Sequence, residues 1–220
     1  MLKSVIFDMD GVICDTEPIY KTCNNEFFRE QNLPVDEHYQ DQFLGVTSEF
    51  MWGTIIKEFS LPFTIEECVD IVDKKKAAIE KRDGLHPLPH VIDLIKALHA
   101  DGLTLAIASS SPMSEINRVV DSFGIREYFS IFVTGTECEN SKPEPEIFLK
   151  AAALLGSSPE ECIVIEDSRN GLLAASKANM KSIGFQNPLF LSQDFSLATH
   201  IVTSFSEVTP ALCHDLIDQQ

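Results

Sequence analysis

Four short polar stretches carry residue types that could work on a phosphate ester. They are Asp8-Met9-Asp10-Gly11, Ser109-Ser110-Ser111, Ser141-Lys142-Pro143-Glu144-Pro145 and Glu166-Asp167-Ser168. Two acids placed straight after an apolar run are costly to bury without partners. A divalent cation offsets that cost, and hard carboxylate oxygens suit magnesium. One carboxylate of such a pair can attack phosphorus. The other can protonate the leaving oxygen and later activate water. A hydroxyl with free backbone amides can hold phosphate oxygens, which is the chemistry open to Ser109 and Ser110. Lys142, set between a strand and a proline-started helix, can neutralise a transferring phosphoryl group. Glu166 and Asp167 could complete a metal site with Asp8. Each stretch taken singly also fits a blander use: the acids and serines as helix caps, the lysine as a solvated surface charge.

These residues must be positioned by the elements around them. Ser4–Phe7 reads as a buried strand that stops in a polar turn. Residues 16–83 read as successive helices: one from Glu17-Pro18 to about Gln31, a short one at 36–43, one after Thr47, and one capped at Thr64 with Glu67 three residues on. From Leu88 onward strands and helices alternate. Strands are expected at 103–108, 131–133, 162–165, 182–185 and 201–202. Helices are expected at 89–100, 112–123, 145–155 and 172–178, and residues 215–220 are expected to be frayed or exposed. Such alternation predicts an α/β fold, a doubly wound, Rossmann-like parallel sheet. The helical block at 16–83 is expected to be an insertion after the first strand, leaving 1–15 and 84–220 as the core domain. In a sheet of this kind the carboxyl ends of the strands line the ligand crevice, so the four stretches can converge.

Composition narrows the partners. The 220 residues are 44% hydrophobic and 23% charged, with a formal net charge of −17. That charge argues against nucleic acid and against an anionic membrane surface. No run approaches the ~18 apolar residues of a membrane span. The six cysteines form no CxxC pair, and reduced thiols in a cytoplasmic protein are expected. The six histidines show no ligand spacing.

In their order and strand-end placement, the four stretches resemble the motifs of the haloacid dehalogenase-like superfamily. Within it they are similar to the subgroup of β-phosphoglucomutase and many sugar phosphatases. The motifs stand as Phe-Asp-Met-Asp-Gly at 7–11, Ala-Ser-Ser-Ser at 108–111, Ser-Lys-Pro at 141–143 with Pro145, and Ile-Glu-Asp-Ser at 165–168 with Asn170-Gly171. Asp15-Thr16-Glu17-Pro18 resembles the entry to the family's helical cap, and the likeness spans nearly the whole chain. It implies Asp8 as nucleophile and magnesium ligand, and Asp10 as general acid/base whose carbonyl also ligates the metal. It implies Ser109 and Lys142 on the phosphoryl group, with Ser110 beside them, and Asp167 and Glu166 on Mg2+. The substrate implied is a small phosphorylated metabolite, and the protein an expected monomer or weak dimer.

Two departures bear on the reaction. An acid at position 10 favours phosphate esters, because a carbon–halogen bond has no alkoxide leaving group to protonate. The similar mutases carry an arginine in the cap and a lysine just after the second-motif serines, to hold a second phosphate. Here Ser48 follows Gly45-Val46-Thr47, and Pro112 follows Ser111. A dianion without such partners is poorly held, so a phosphatase is expected over a mutase. Arg29, Lys57 or a lysine of 74–76 could substitute, although the lysine run reads as a solvated helix face. Glu17, residues 45–49 and Trp52 are candidates for the leaving-group side. Trp52 and Phe50 equally fit a buried core.

Overall fold

In a computed structural model of the protein, the described residues are 1–15, 17–36, 38–43, 48–187 and 193–218, without the side chains of Glu17, Asp41 and Glu49. The expected turn at Gly45-Val46-Thr47 and the side chains of Glu17 and Glu49 lie outside them. The chain divides into two compact units, one of residues 1–15 and 86–220, the other of residues 16–85.

The first unit is a parallel sheet of six strands among the described residues, in the order β3-β2-β1-β4-β5-β6. The strands are β1 (Ser4–Phe7), β2 (Thr104–Ser109), β3 (Ile131–Thr134), β4 (Cys162–Glu166), β5 (Lys181–Phe185) and β6 (His200–Val202). β1 and β4 are buried along their whole length, as their unbroken apolar runs require when both faces of a sheet are covered. Ile6, Ala106, Ala108 and Val164 pack in one core with Ile147, Phe148, Ala174 and Ala175 of helices α6 (Glu146–Leu155) and α7 (Arg169–Lys177). Val5, Phe7, Leu105, Ile107, Ile163 and Ile165 alternate with them and are equally buried. Strand order reverses between β1 and β4, so both neighbours of β1 come from later in the chain.

The second unit holds helices α1 (Glu17–Glu30), α2 (Ser48–Phe59) and α3 (Ile65–Asp83), with a 3-10 turn at Tyr39–Phe43. Its core is aromatic. Phe27 and Phe28 meet Trp52 edge-on, with centroids 4.9 and 6.2 Å away. Trp52 is thus core and only 1% exposed, whereas Phe50 is 61% exposed. The Thr64 box forms as its spacing predicts: Glu67 N–H donates to the threonine hydroxyl, and the Glu67 carboxylate accepts from Thr64 N–H. Gly84 closes α3 at φ +81°, a conformation few other residues adopt.

Three expectations need correction. The lysine run is not a uniform solvated face, because Lys76 is buried, with its ammonium 3.1 Å from Tyr20 Oη and 4.7 Å above that ring. Helix α4 (Val91–Ala100) begins at Val91 and not Pro89, since His90 takes a left-handed conformation that closes the preceding turn. The C-terminal stretch is not frayed through 215–218. Helix α8 (Pro210–Asp218) buries Cys213 and Leu216, one turn apart. Thr209 accepting from Leu212 N–H and Pro210 at the first helical position were the legible signals for it.

Candidate active site

Strand register does most of the assembly. Phe7 pairs with Ile107 on β2 and with Ile165 on β4. One step further along, Asp8 stands level with Ala108 and Glu166, and its N–H donates to the Ile165 carbonyl at 2.9 Å. Residues 100 and 158 positions away become lateral neighbours because three parallel strands end together. Beyond Asp8 the chain turns tightly, with the Met9 carbonyl accepting from Ile13 and Cys14 N–H at 2.8 and 3.0 Å. That turn carries Asp10 and holds Gly11 at φ +74°.

Lys142 arrives from the connection after β3. The Glu146 carboxylate pins that connection by accepting from the N–H groups of Glu139 and Asn140 at 2.7 and 2.9 Å. The Lys142 ammonium donates to Asp8 Oδ1 and Glu166 Oε1, each at 2.8 Å, and to the Ala108 carbonyl at 3.3 Å. Three acceptors match the three protons of an ammonium. The Lys142 side chain is 8% exposed and that of Glu166 0%, so the group is anchored in the molecule. Lys142 also lies 4.9 Å above the Phe148 ring. Glu166 is tied at its other oxygen, where Oε2 accepts from Ser168 N–H and hydroxyl at 2.8 and 2.9 Å. The Ser168 hydroxyl in turn caps α7 by accepting from Gly171 N–H at 3.0 Å.

Two glycines are required by these acids. A Cβ on Gly11 would lie 1.9 Å from Asp167 Oδ2, and one on Gly171 would lie 1.8 Å from Glu166 Oε1. Backbone therefore packs directly against both carboxylates.

Burial raises the Asp8 carboxyl to about 7, against the pull of the Lys142 ammonium and with a further push from Glu166 and Asp10. Lys142 is held above its ordinary value: burial works against its charge, but the two carboxylates outweigh it. Oxygens of Asp8, Glu166 and Asp167 lie within 4.8 Å of one another. Three clustered carboxylates, two of them on one ammonium, leave excess negative charge, and an all-oxygen set fits a hard divalent cation. The residues present therefore fit magnesium.

Ser109 ends β2, is buried, and accepts from Ser111 N–H at 3.0 Å, while Ser110 is exposed. The Ser109 hydroxyl is 3.5 Å from Asp10 Oδ2, at the limit of a hydrogen bond. The Ser111 hydroxyl is 2.6 Å from the same oxygen. Sequence reasoning placed Ser111 in the second motif without giving it a role, because residue type alone does not say which of three serines turns inward.

The model of the haloacid dehalogenase-like hydrolase family matches residues 5–185. The chain belongs to this family. Among curated members, a phosphoglycolate phosphatase of Salmonella typhi is 29% identical over 96% of this chain and 92% of its own length. A phosphorylated carbohydrates phosphatase of Thermotoga maritima is also 29% identical, over 83% of this chain and 84% of its own. Among solved family structures, a β-phosphoglucomutase of Clostridium difficile is 25% identical with a TM-score of 0.79, covering 100% of this chain and 98% of its own. The family match and the phosphatase relatives bear out the expected enzyme class, a phosphomonoester hydrolase. No helix among the described residues is long and apolar enough to cross a membrane.

Proposed function

We propose that the protein is a magnesium-dependent phosphatase that hydrolyses a small sugar phosphate through an aspartyl-phosphate on Asp8. The observation that carries this reading is the Lys142 ammonium set 2.8 Å from both Asp8 and Glu166, beside the turn that bears Asp10. An Asp8 oxygen attacks phosphorus and the ester P–O bond breaks. Asp10 gives its proton to the departing alkoxide. Water then attacks the aspartyl-phosphate, Asp10 takes a proton from it, and inorganic phosphate leaves with Asp8 regenerated. Ser109 and Ser110 hold phosphoryl oxygens, and Lys142 neutralises charge on the transferring group. Magnesium would be held by Asp8, Asp167, the Asp10 carbonyl and Glu166, and supplies positive charge for the phosphoryl oxygens. The helical unit serves as the cap that shapes the leaving-group side. Sugar phosphates are the favoured class because one similar enzyme is a phosphorylated carbohydrates phosphatase.

Hydrolysis is preferred to isomerisation on local grounds. A mutase must grip a second phosphate, yet Pro112, which lacks even an N–H, and Ser48 stand where the similar mutases carry cations.

The test is phosphate release from a panel of sugar phosphates and p-nitrophenyl phosphate with magnesium. Release is expected to disappear with EDTA and with Asp8→Asn. Turnover that survives Asp8→Asn would remove the aspartyl-phosphate. Isomerisation of β-glucose 1-phosphate in the presence of a bisphosphate would replace the phosphatase by the mutase.

A further inference from the structure

Asp10 must point its carboxyl at a departing oxygen in one half-reaction and at a water in the next. A half-buried Asp can turn about its terminal torsion, which is broad and two-fold. The Ser111 hydroxyl lies 2.6 Å from Asp10 Oδ2, a length typical of a strong bond to a carboxylate. Ser111 is itself braced from the next strand. Thr134, buried at the end of β3, donates its hydroxyl to the Ser111 carbonyl at 2.7 Å. Thr134 pairs with Ser109 in the sheet register. The following residue, Gly135, sits so close that a Cβ there would meet Ser110 Cα at 3.1 Å. The end of β3 thus presses against the serine loop and holds the backbone that carries the Ser111 hydroxyl.

We propose that Ser111, braced by Thr134, is a positioning residue that orients Asp10 for proton transfer. A hydroxyl can donate to Oδ2 whether Asp10 is a carboxylate or carries a proton on its other oxygen. The same contact can therefore serve both half-reactions. The proposal rests on the reading of Asp10 as general acid.

The experiment compares Ser111→Ala with the parent on two esters: the best sugar phosphate of the panel and p-nitrophenyl phosphate. It reads kcat/KM, which reports the steps up to loss of the leaving group. A sugar alkoxide needs a proton, whereas p-nitrophenolate leaves without one. If orientation carries part of the ~10²–10⁴-fold typical of general acid catalysis, Ser111→Ala should lower kcat/KM about 10-fold or more on the sugar phosphate and much less on p-nitrophenyl phosphate. Ser111→Thr should restore most of the loss. Thr134→Val, which removes only the brace, should follow the same ester dependence more weakly. Equal losses on the two esters would mean that Ser111 merely supports the loop, and would overturn the proposal. Ser111→Cys, close in size but a weak donor, carries the same expectation if the alanine variant does not fold. Asp10→Asn separates the two levels. If it shows the ester dependence and Ser111→Ala does not, only the Ser111 proposal falls. If Asp10→Asn lacks the dependence, the acid reading falls and takes the Ser111 proposal with it.

Discussion

Both compact units bury a lysine, and they surround it in opposite ways. In the sheet unit, Lys142 is shared by two carboxylates at 2.8 Å each, with Asp167 close enough to complete a three-acid cluster. In the helical unit, Lys76 has Glu80 at 3.9 Å and lies against the face and hydroxyl of Tyr20. The second arrangement joins two residues of one helix, where positions 76 and 80 share a face. The first is unbalanced at the open ends of strands. A divalent cation held by these acids would offset the cost of burying like charge there. The contrast separates a lysine–acid pair along one helix from a strand-end cluster whose acids outnumber its lysine, the kind of perturbed group that marks a candidate site.

Four measurements test this difference. Lys142→Met should cost the most activity, about 10³-fold in kcat, because it removes the cation aimed at developing charge. Lys76→Met should leave kcat near the parent value. A collapse of turnover in Lys76→Met with unchanged stability would make Lys76 a substrate group and erase the contrast. Next, Gly171→Ala should lower activity about 10²-fold, since its methyl displaces the Glu166 carboxylate and with it Lys142. A variant of full activity would show that the site tolerates that shift.

Magnesium should raise the unfolding temperature, by an amount worth ~2.7 kcal/mol when the metal is at 100 times its Kd. The size of that rise should depend on pH. Asp8 titrates near 7 in the folded protein and near 3.8 when exposed. The folded state therefore binds the extra proton between those values, and the metal-free protein loses this contribution as pH rises through 7. Magnesium competes with that proton, so its stabilising effect should grow from pH 5.5 to pH 8. The gain should vanish in Asp8→Asn. A pH-independent gain would place the metal away from Asp8. The smallest effect is expected for stability in the helical unit, where Lys76→Met should cost about 1–3 kcal/mol in urea unfolding by removing the ammonium beside the buried Glu80.

The strands were legible because each is a short apolar or β-branched run ended by polar residues, and each lies within a residue or two of its expected place. The capped start at Thr64 was equally plain, since a cap is local chemistry. Helix α8 was missed because its apolar positions are few and diluted by His214, Asp215 and Asp218. Lys76 was misjudged because three consecutive lysines look alike in sequence. On a helix they point in different directions, and Lys76 faces inward while Lys74 meets Asp70 on the surface.

Residue types and their order were enough to say which side chains could act: paired acids and serines after apolar runs that became strands, and a lysine in the connection that follows one. They also determined that the helical block interrupts the sheet after its first strand. Only the tertiary structure decided which atoms meet. Lys142 could have been solvated, but parallel strands in register bring Asp8 and Glu166 level and make a socket for its ammonium. Three consecutive serines could have served alike, but the fold brings the Ser111 hydroxyl within 2.6 Å of Asp10, holds Ser109 at 3.5 Å and leaves Ser110 exposed. Residue type and local pattern are written along the chain. Contacts between residues a hundred positions apart depend on strand order and register, and these come from packing the whole sheet.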